Sequence, residues 1–248
     1  SGIIHKLYEA GFDVVALEIK APTAIRRNVA FSEAVFDGKK EVEGVTAYFC
    51  EKKEEVIEAL KKGVAIIVDP AMILLDELQV LAFVDATLAK KNMSVNREIA
   101  DIVIGVGPGF AAGKDVHAVV ETCRGHNLGR IYYNGKALEN TGVPGVIEGY
   151  GKERVIRSPR EGRLKVTLDI KGICKKGDQI AIVEDEPVYA TLDGLVRGMM
   201  RDGTLVSKGM KIADIDPRRA EIENCDTISD KARCIAGGVL EAIMHLRS

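Results

Sequence analysis

Ser1-Gly2-Ile3-Ile4-His5-Lys6-Leu7-Tyr8-Glu9-Ala10-Gly11 runs directly into Phe12-Asp13-Val14-Val15-Ala16-Leu17-Glu18-Ile19, and this opening decides how the rest of the chain is read. Ile3, Ile4, Leu7 and Ala10 share one face at helical spacing, and Gly11 supplies the stop. The apolar run after it reads as a buried strand that ends in an acid. In a dinucleotide-binding unit a strand and a glycine-rich turn precede such a helix, and the acid after the second strand holds ribose hydroxyls. Helix, second strand and acid are all present. The sequence is therefore expected to begin inside a phosphate-binding loop, with Gly2 as its last glycine and Glu18 at the ribose. An ordinary αβ unit with Glu18 at a strand end accounts for the same residues.

The alternation continues outward from there. Val42 to Phe49 reads as a strand, Glu54 to Lys62 as a helix closed by Gly63, and Val64 to Val68 as a strand. Val80 to Val84, ending at Asp85, and Ile102 to Val106 are two further apolar runs. Continuous rather than alternating apolar runs suit strands covered on both faces. The expected fold is a Rossmann-like α/β domain over residues 1–150, a doubly wound and mostly parallel sheet without its first strand. Ligands in such sheets sit beyond the carboxyl ends of strands.

Composition narrows the class. The 248 residues carry 35 Lys+Arg against 37 Asp+Glu, a net charge of −2, so no overall basic footprint for nucleic acid exists. Apolar residues make up 46% and charged residues 29%, which suits a globular chain. No run approaches the roughly 20 apolar residues of a membrane-spanning helix; Asp69, Asp76, Glu77 and Asp85 break the longest stretches. Cys50, Cys123, Cys174, Cys225 and Cys234 are an odd set without metal-ligand spacing, so reduced thiols, a cytoplasmic location and no metal site are expected.

Two segments after strands carry chemistry. Gly105-Val106-Gly107-Pro108-Gly109-Phe110 could let backbone amides approach an anion, with Gly107 and Gly109 nearest, or it could be a structural turn. After the strand-like Val116 to Val120 comes Glu121-Thr122-Cys123-Arg124-Gly125-His126-Asn127-Leu128-Gly129-Arg130, the densest cluster of reactive side chains. Arg124 suits a phosphate or carboxylate, His126 suits proton transfer near neutrality, and Glu121 could orient either. These three are the candidate catalytic residues, against an ion-paired turn as the plain reading. Cys123 reads as an inert thiol. Arg26-Arg27 reads equally as an anion clamp or a solvated pair, and the isolated His5, His117 and His245 receive no role.

From Val155 onward short strands replace the αβ alternation, and an internal repeat emerges. Gly162 and Gly194 lie 32 residues apart, as do Lys176-Gly177 and Lys208-Gly209, Ile180-Ala181 and Ile212-Ala213, and Val183 and Ile215. Two related halves interlocked as a small sandwich are expected over residues 151–217. The arrangement resembles the biotinyl/lipoyl barrel-sandwich, in which a lysine on the hairpin between the halves carries the cofactor. Here that hairpin, near Glu184-Asp185-Glu186-Pro187-Val188, has no lysine, so a docking or lid element fits better than a carrier. A third segment, 218–248, reads as a helix packing back on the first domain. Thr227-Ile228-Ser229-Asp230 is expected to cap it, and close packing would account for Gly237-Gly238 within it. Lys231 and Arg233 near its start are anion contacts or a salt-bridged surface.

Gly105 to Phe110, Glu121 to Arg130, Asn140-Thr141-Gly142 and Ile228-Ser229-Asp230-Lys231-Ala232-Arg233 together are similar to one family, the selenium-dependent molybdenum hydroxylase accessory proteins. The similarity runs essentially end to end. Its members have a leading strand and a Gly-Ala-Gly-Asp-type turn before the first helix. The resemblance implies a role in maturing molybdenum hydroxylases that use selenium, such as xanthine dehydrogenases. It implies hydroxylase subunits or other maturation factors as partners; whether the chain also pairs with a second copy is left open by the sequence. The cofactor stays open: the strand-end positions of Glu18 and the glycines suit a dinucleotide, either molybdopterin dinucleotide or NAD(P), and the resemblance supplies no established catalytic set. A nicotinamide-dependent oxidoreductase and a non-enzymatic adaptor stand as the alternatives.

Overall fold

The computed structural model describes residues 1–89, 91–92, 95–139, 142 and 145–247. They divide into two compact units: residues 1–19, 48–142 and 228–248 form one, residues 20–47 and 143–227 the other. The mixed α/β fold holds four four-stranded sheets, and none closes into a barrel among the described residues.

In the first unit, helix α1 (Gly2–Glu9) buries Leu7, and Gly11 at φ +86° turns the chain into strand β1 (Val15–Glu18). Residues 20–47, which belong to the other unit, carry a single turn of helix, α2 (Ala34–Asp37), and β2 (Lys39–Val42), and β3 (Val45–Cys50) leads the chain back. The strand expected from Val42 to Phe49 is thus the second arm of a hairpin. Its two-residue turn Glu43-Gly44 has positive φ at both positions, the twist that matches the flanking strands. The expected helix from Glu54 shrinks to α3 (Val56–Leu60) behind one 3-10 turn, and β4 (Val64–Val68) follows, buried over its first four residues. β1 runs parallel to β4, with Glu18 opposite Val68, in a sheet of order β1-β4-β3-β2.

Strands β5 (Ala82–Asp85), β6 (Ile102–Val106), β7 (Ala118–Val120) and β8 (Ile131–Tyr132) form the next sheet in that order, with β5, β6 and β7 parallel and β8 antiparallel. The single doubly wound sheet is therefore corrected to two sheets of four. Among the described residues no helix connects β5 to β6 or β6 to β7. In the second connection positive φ at Gly107, Gly109 and Gly113 precludes helix. Loops supply the apolar cover instead: Phe110, fully buried, packs with Val103, Val116 and Val119.

The last helix, α4 (Asp230–Leu246), packs on α1, β6 and β7 and buries Ile235, Val239, Ala242 and Ile243. Its cap is Ser229, whose Oγ accepts from the Ala232 amide; Thr227 lies outside and bonds Asn224. The expected cap is thus displaced by two residues, because it is Ser229 whose backbone stays extended before the helical turn. A Cβ on Gly238 would lie 2.3 Å from the Gly129 carbonyl oxygen and 3.0 Å from Val120, so this glycine is required by close packing. Nothing lies within 4 Å of a Cβ on Gly237, and nothing in the structure explains that glycine.

The second unit carries strands β9 (Val155–Arg157), β10 (Gly162–Val166), β11 (Ile173–Cys174), β12 (Gln179–Val183), β13 (Glu186–Tyr189), β14 (Gly194–Met199), β15 (Leu205–Val206) and β16 (Lys211–Asp216). The 32-residue spacing maps β10 onto β14, β11 onto β15 and β12 onto β16 at their first residues. The sheets have orders β13-β12-β10-β15 and β11-β14-β16-β9. Exchanging each strand with its repeat counterpart turns one order into the reverse of the other. Each sheet therefore draws strands from both halves, and both sheets share one core that includes Leu164, Ile180, Val196, Met199, Ile212 and Ile215.

Residues 20–47, expected in the first domain, cluster instead with this second unit. The Met199 amide donates to the Ile25 carbonyl, and the missing side chain of Gly198 leaves room for that carbonyl 2.9 Å from where a Cβ would stand. Arg201 then clamps the segment, donating to Glu33 at 3.0 Å and to both oxygens of Asp37 while lying 4.8 Å over the Phe36 ring. The 3-10 turn Arg219–Cys225 also belongs to the second unit, so the expected boundary at 217 falls at Thr227.

Candidate functional site

The segment after β7 closes on itself: the Glu121 amide donates to the Arg130 carbonyl and the Gly129 amide to the Glu121 carbonyl. Inside that loop the Glu121 carboxylate is fully buried, accepting from the amides of Thr122 and Cys123 at 2.7 Å each and of Leu138 at 2.8 Å. Fully buried and with both oxygens accepting from backbone amides, Glu121 holds the loop in shape and is not presented to a substrate. It is a positioning residue. Arg124 projects from the loop and meets Asp230 in a two-pronged ion pair at 3.0 and 3.2 Å. His126 is exposed on the same loop, and its side chain makes no hydrogen bond among the described residues.

Asp230 opens α4, so the Arg124 pair ties the loop to the positive end of that helix dipole. The amino end of α1 arrives at the same place. A Cβ on Gly2 would lie 2.9 Å from the Ala232 Cβ, and only glycine lets the two helix starts approach this closely. Glu18 ends β1, and its Oε2 accepts from the Ile19 amide at 2.7 Å. On the other side of the loop, Gly107 is pressed against Thr122, whose Oγ1 would lie 2.9 Å from an added Cβ, and Gly107 has φ +89°. Gly109 has φ +108° and is exposed at the tip of its turn.

Close approaches therefore join Gly2 to Ala232 on α4, Asp230 of the same helix to Arg124, and Thr122 of the Arg124 loop to Gly107. Three segments more than a hundred residues apart in part (105–110, 121–130 and 228–233) share one edge of the first unit with the start of the chain. Asn140 and Thr141 lie outside the described residues. The arrangement offers two helix amino termini, loop amides and cationic side chains, which is the chemistry of an anion site.

Lys231 gains weight from the geometry. Burial, with the neighbouring Arg124 guanidinium, holds its ammonium below the usual lysine range, while Cys123, Glu121 and Asp230 pull the other way. It makes no hydrogen bond or ion pair among the described residues, unlike Arg124. The sequence marks it only as the second residue of a capped helix, and its proximity to the 121–130 loop is a tertiary fact. Arg26 and Arg27, by contrast, are committed within the second unit. Arg26 donates to the carbonyls of Asn224 and Thr227, and Arg27 to the Met199 carbonyl and Asp169. Among the described residues no group of three or more His, Cys, Asp or Glu side chains is arranged to hold a metal ion.

No family model matches the chain. It is 49% identical over 247 residues to YqeB of Escherichia coli, a protein described as uncharacterized. That match takes in 99% of this chain and 46% of YqeB, so the chain spans about half the length of the curated relative it matches. Among solved structures, an aspartoacylase family protein from Mesorhizobium loti matches 26% of this chain and 23% of its own, at 14% identity and a TM-score of 0.25. The product-bound ectoine utilization protein EutE (DoeB) from Ruegeria pomeroyi matches 34% of this chain and 27% of its own, at 19% identity and a TM-score of 0.25. Likeness at that level carries no functional argument.

Proposed function

We propose that this chain is part of an accessory factor for the maturation of selenium-dependent molybdenum hydroxylases, and that its first unit binds a nucleotide-bearing ligand such as a molybdopterin dinucleotide. One observation supports this most: three of the motifs that resemble that family, residues 105–110, 121–130 and 228–233, come together at one edge of the first unit near the amino ends of α1 and α4. In this reading the first unit is a Rossmann-like domain and Glu18 receives the ribose hydroxyls. Amides near Gly2, Gly107 and Gly109 approach the phosphates, with Lys231 and Arg124 balancing their charge. His126 is the exposed proton carrier beside them. A cytoplasmic location belongs to the same reading.

The second unit fits a barrel-sandwich-like docking module. The β12–β13 hairpin turns at Glu184-Asp185, with Val183 opposite Glu186, and offers no lysine for covalent attachment. Ile173 and Leu205, counterparts in the repeat, are both exposed, at 46% and 70%. This favours an adaptor role that engages a hydroxylase subunit beside the ligand-binding role.

Purifying the full-length protein and identifying its retained ligand by mass spectrometry tests the reading. A dinucleotide is expected, with affinity weakened by Glu18→Ala. Unchanged affinity in that variant rejects the ribose role, and retention of no nucleotide-bearing ligand, with no binding on titration, rejects the assignment.

A further inference from the structure

At the amino ends of β5, β6 and β7, away from their motif-bearing carboxyl ends, lies a cavity of about 790 Å³. That volume is within the range of small-molecule sites, roughly 300–1,000 Å³. Its walls come from the residues just before each strand, and His117, immediately before β7, is one of them. The Val103 amide donates to His117 Nδ1 at 3.0 Å, while the His117 amide donates to the Val103 carbonyl at 2.8 Å. Nδ1 therefore serves as an acceptor, and the neutral ring must carry its proton on Nε2. Protonating Nδ1 would set two donors against each other. Burial and the nearby Arg97 guanidinium agree with this, since both hold the His117 pKa below the usual histidine value.

A histidine so fixed is a hydrogen-bond donor and a poor metal ligand, because Nε2 has no free lone pair. Arg97, from the segment before β6, lines the same cavity close enough for its charge to act on His117, with one N–H spent on the Gly113 carbonyl at 3.3 Å. Two adjacent donors, one of them cationic, call for an anionic acceptor. Leu78, Leu81 and Ile99 add apolar surface to the cavity, and Leu81 is 38% exposed there. Glu98 and Asp101 also line it, and neither forms an ion pair with Arg97 among the described residues. Their charge opposes a second negative charge on any occupant.

We propose that this cavity binds an organic monocarboxylate, its carboxylate held by the Arg97 guanidinium and the Nε2–H of His117 and its apolar body against Leu78, Leu81 and Ile99. The site is independent of the dinucleotide reading and stands at the other ends of the same strands.

Benzoate is the probe, titrated into the ¹⁵N-labelled chain and read at the His117 side-chain nitrogens by NMR. The free protein should show the Nε2–H tautomer, and benzoate should shift that signal to saturation. Benzamide, the neutral isostere, and inorganic phosphate should bind roughly tenfold or more weakly, and Arg97→Gln should weaken benzoate about tenfold, the worth of a charge-assisted hydrogen bond. An Nδ1–H tautomer, no saturable shift at His117, an equal response to benzamide, tighter binding of phosphate, or unchanged affinity in the folded Arg97→Gln variant would each overturn the proposal.

Discussion

The two units encode their folds differently. In the second, a 32-residue repeat in the sequence reappears as strand starts 32 residues apart, and each sheet is completed by strands from the other half. Neither half can bury its core face alone, so both must form together. In the first unit the residues that give the sequence its character serve tertiary closeness: Gly2 against Ala232, Gly107 against Thr122, Gly238 against Gly129. A repeat carries its own internal check and can be read from the chain. A convergence of distant loops cannot, since no local pattern reports it.

The largest effect that separates the units should come from Asp216, fully buried in the second and bound by both prongs of Arg218 at 2.8 and 2.9 Å with Arg197 at 3.5 Å. Asp216→Ala leaves these guanidiniums without their partner and should cost about 3–5 kcal/mol in denaturant unfolding. Burial pushes this carboxyl up, but the hydrogen bonds from Arg218 and the charge of Arg197 outweigh it and hold its pKa below the usual aspartate value. A depressed native pKa adds stability above the ordinary aspartate value, about 3.9, and that contribution is lost as pH falls through the native value. Thermal melts of the parent should therefore weaken below about pH 4, and Asp216→Asn should flatten that limb. A variant with the parent's acid profile would assign the limb to other carboxylates.

Glu121 is the corresponding test in the first unit. Glu121→Ala removes the acceptor of three amides, and stability should fall by about 3 kcal/mol, at the upper end for a buried unsatisfied group. Hydrogen exchange at Thr122, Cys123 and Leu138 should accelerate ahead of the rest of the chain. Unchanged protection would mean that the loop is held by other contacts.

The paired glycines of α4 sharpen the contrast between packing and propensity. Gly238→Ala drives a methyl into the Gly129 carbonyl and should cost about 1–3 kcal/mol. Gly237→Ala, in open space, should stabilise the same helix by about 1 kcal/mol. Equal melting shifts in the two variants would contradict the packing assigned to Gly238. The smallest effect belongs to the repeat: Lys171 and Gly203 are counterparts 32 residues apart, both at positive φ, +74° and +79°. No Cβ clash awaits at Gly203, where the nearest atom is 3.9 Å away, so Gly203→Ala should cost only the backbone strain, about 1 kcal/mol. A neutral result in chemical denaturation would mean that this turn relaxes freely.

Much of this was legible in the chain. The apolar runs ending at Glu18, Val68, Asp85, Val106 and Val120 all contain strands, because buried parallel strands need continuous apolar sequence. Their division into two sheets was not, since sheet order depends on which distant strand arrives as neighbour. The place of residues 20–47 was hidden for a similar reason. Arg201 and the Ile25 carbonyl draw that segment to the second unit, and neither contact has a local signature. The glycines, Arg124 and Glu121 were visible as candidates from their residue types and strand-end positions. That Glu121 is consumed in shaping the loop, and that Lys231 stands beside it, are consequences of folding around α4.

The proposed ligand site rests on the edge where α1, α4 and the two loops meet. Amide NMR of the ¹⁵N-labelled chain, titrated with a molybdopterin dinucleotide, reads that edge directly. Saturable shifts are predicted at Gly2, Glu18, Gly107, Gly109 and the 121–130 loop, together with the amide of Lys231, and Lys231→Gln should reduce the affinity. Shifts confined to the second unit, or none at any concentration that leaves the protein folded, would contradict the account.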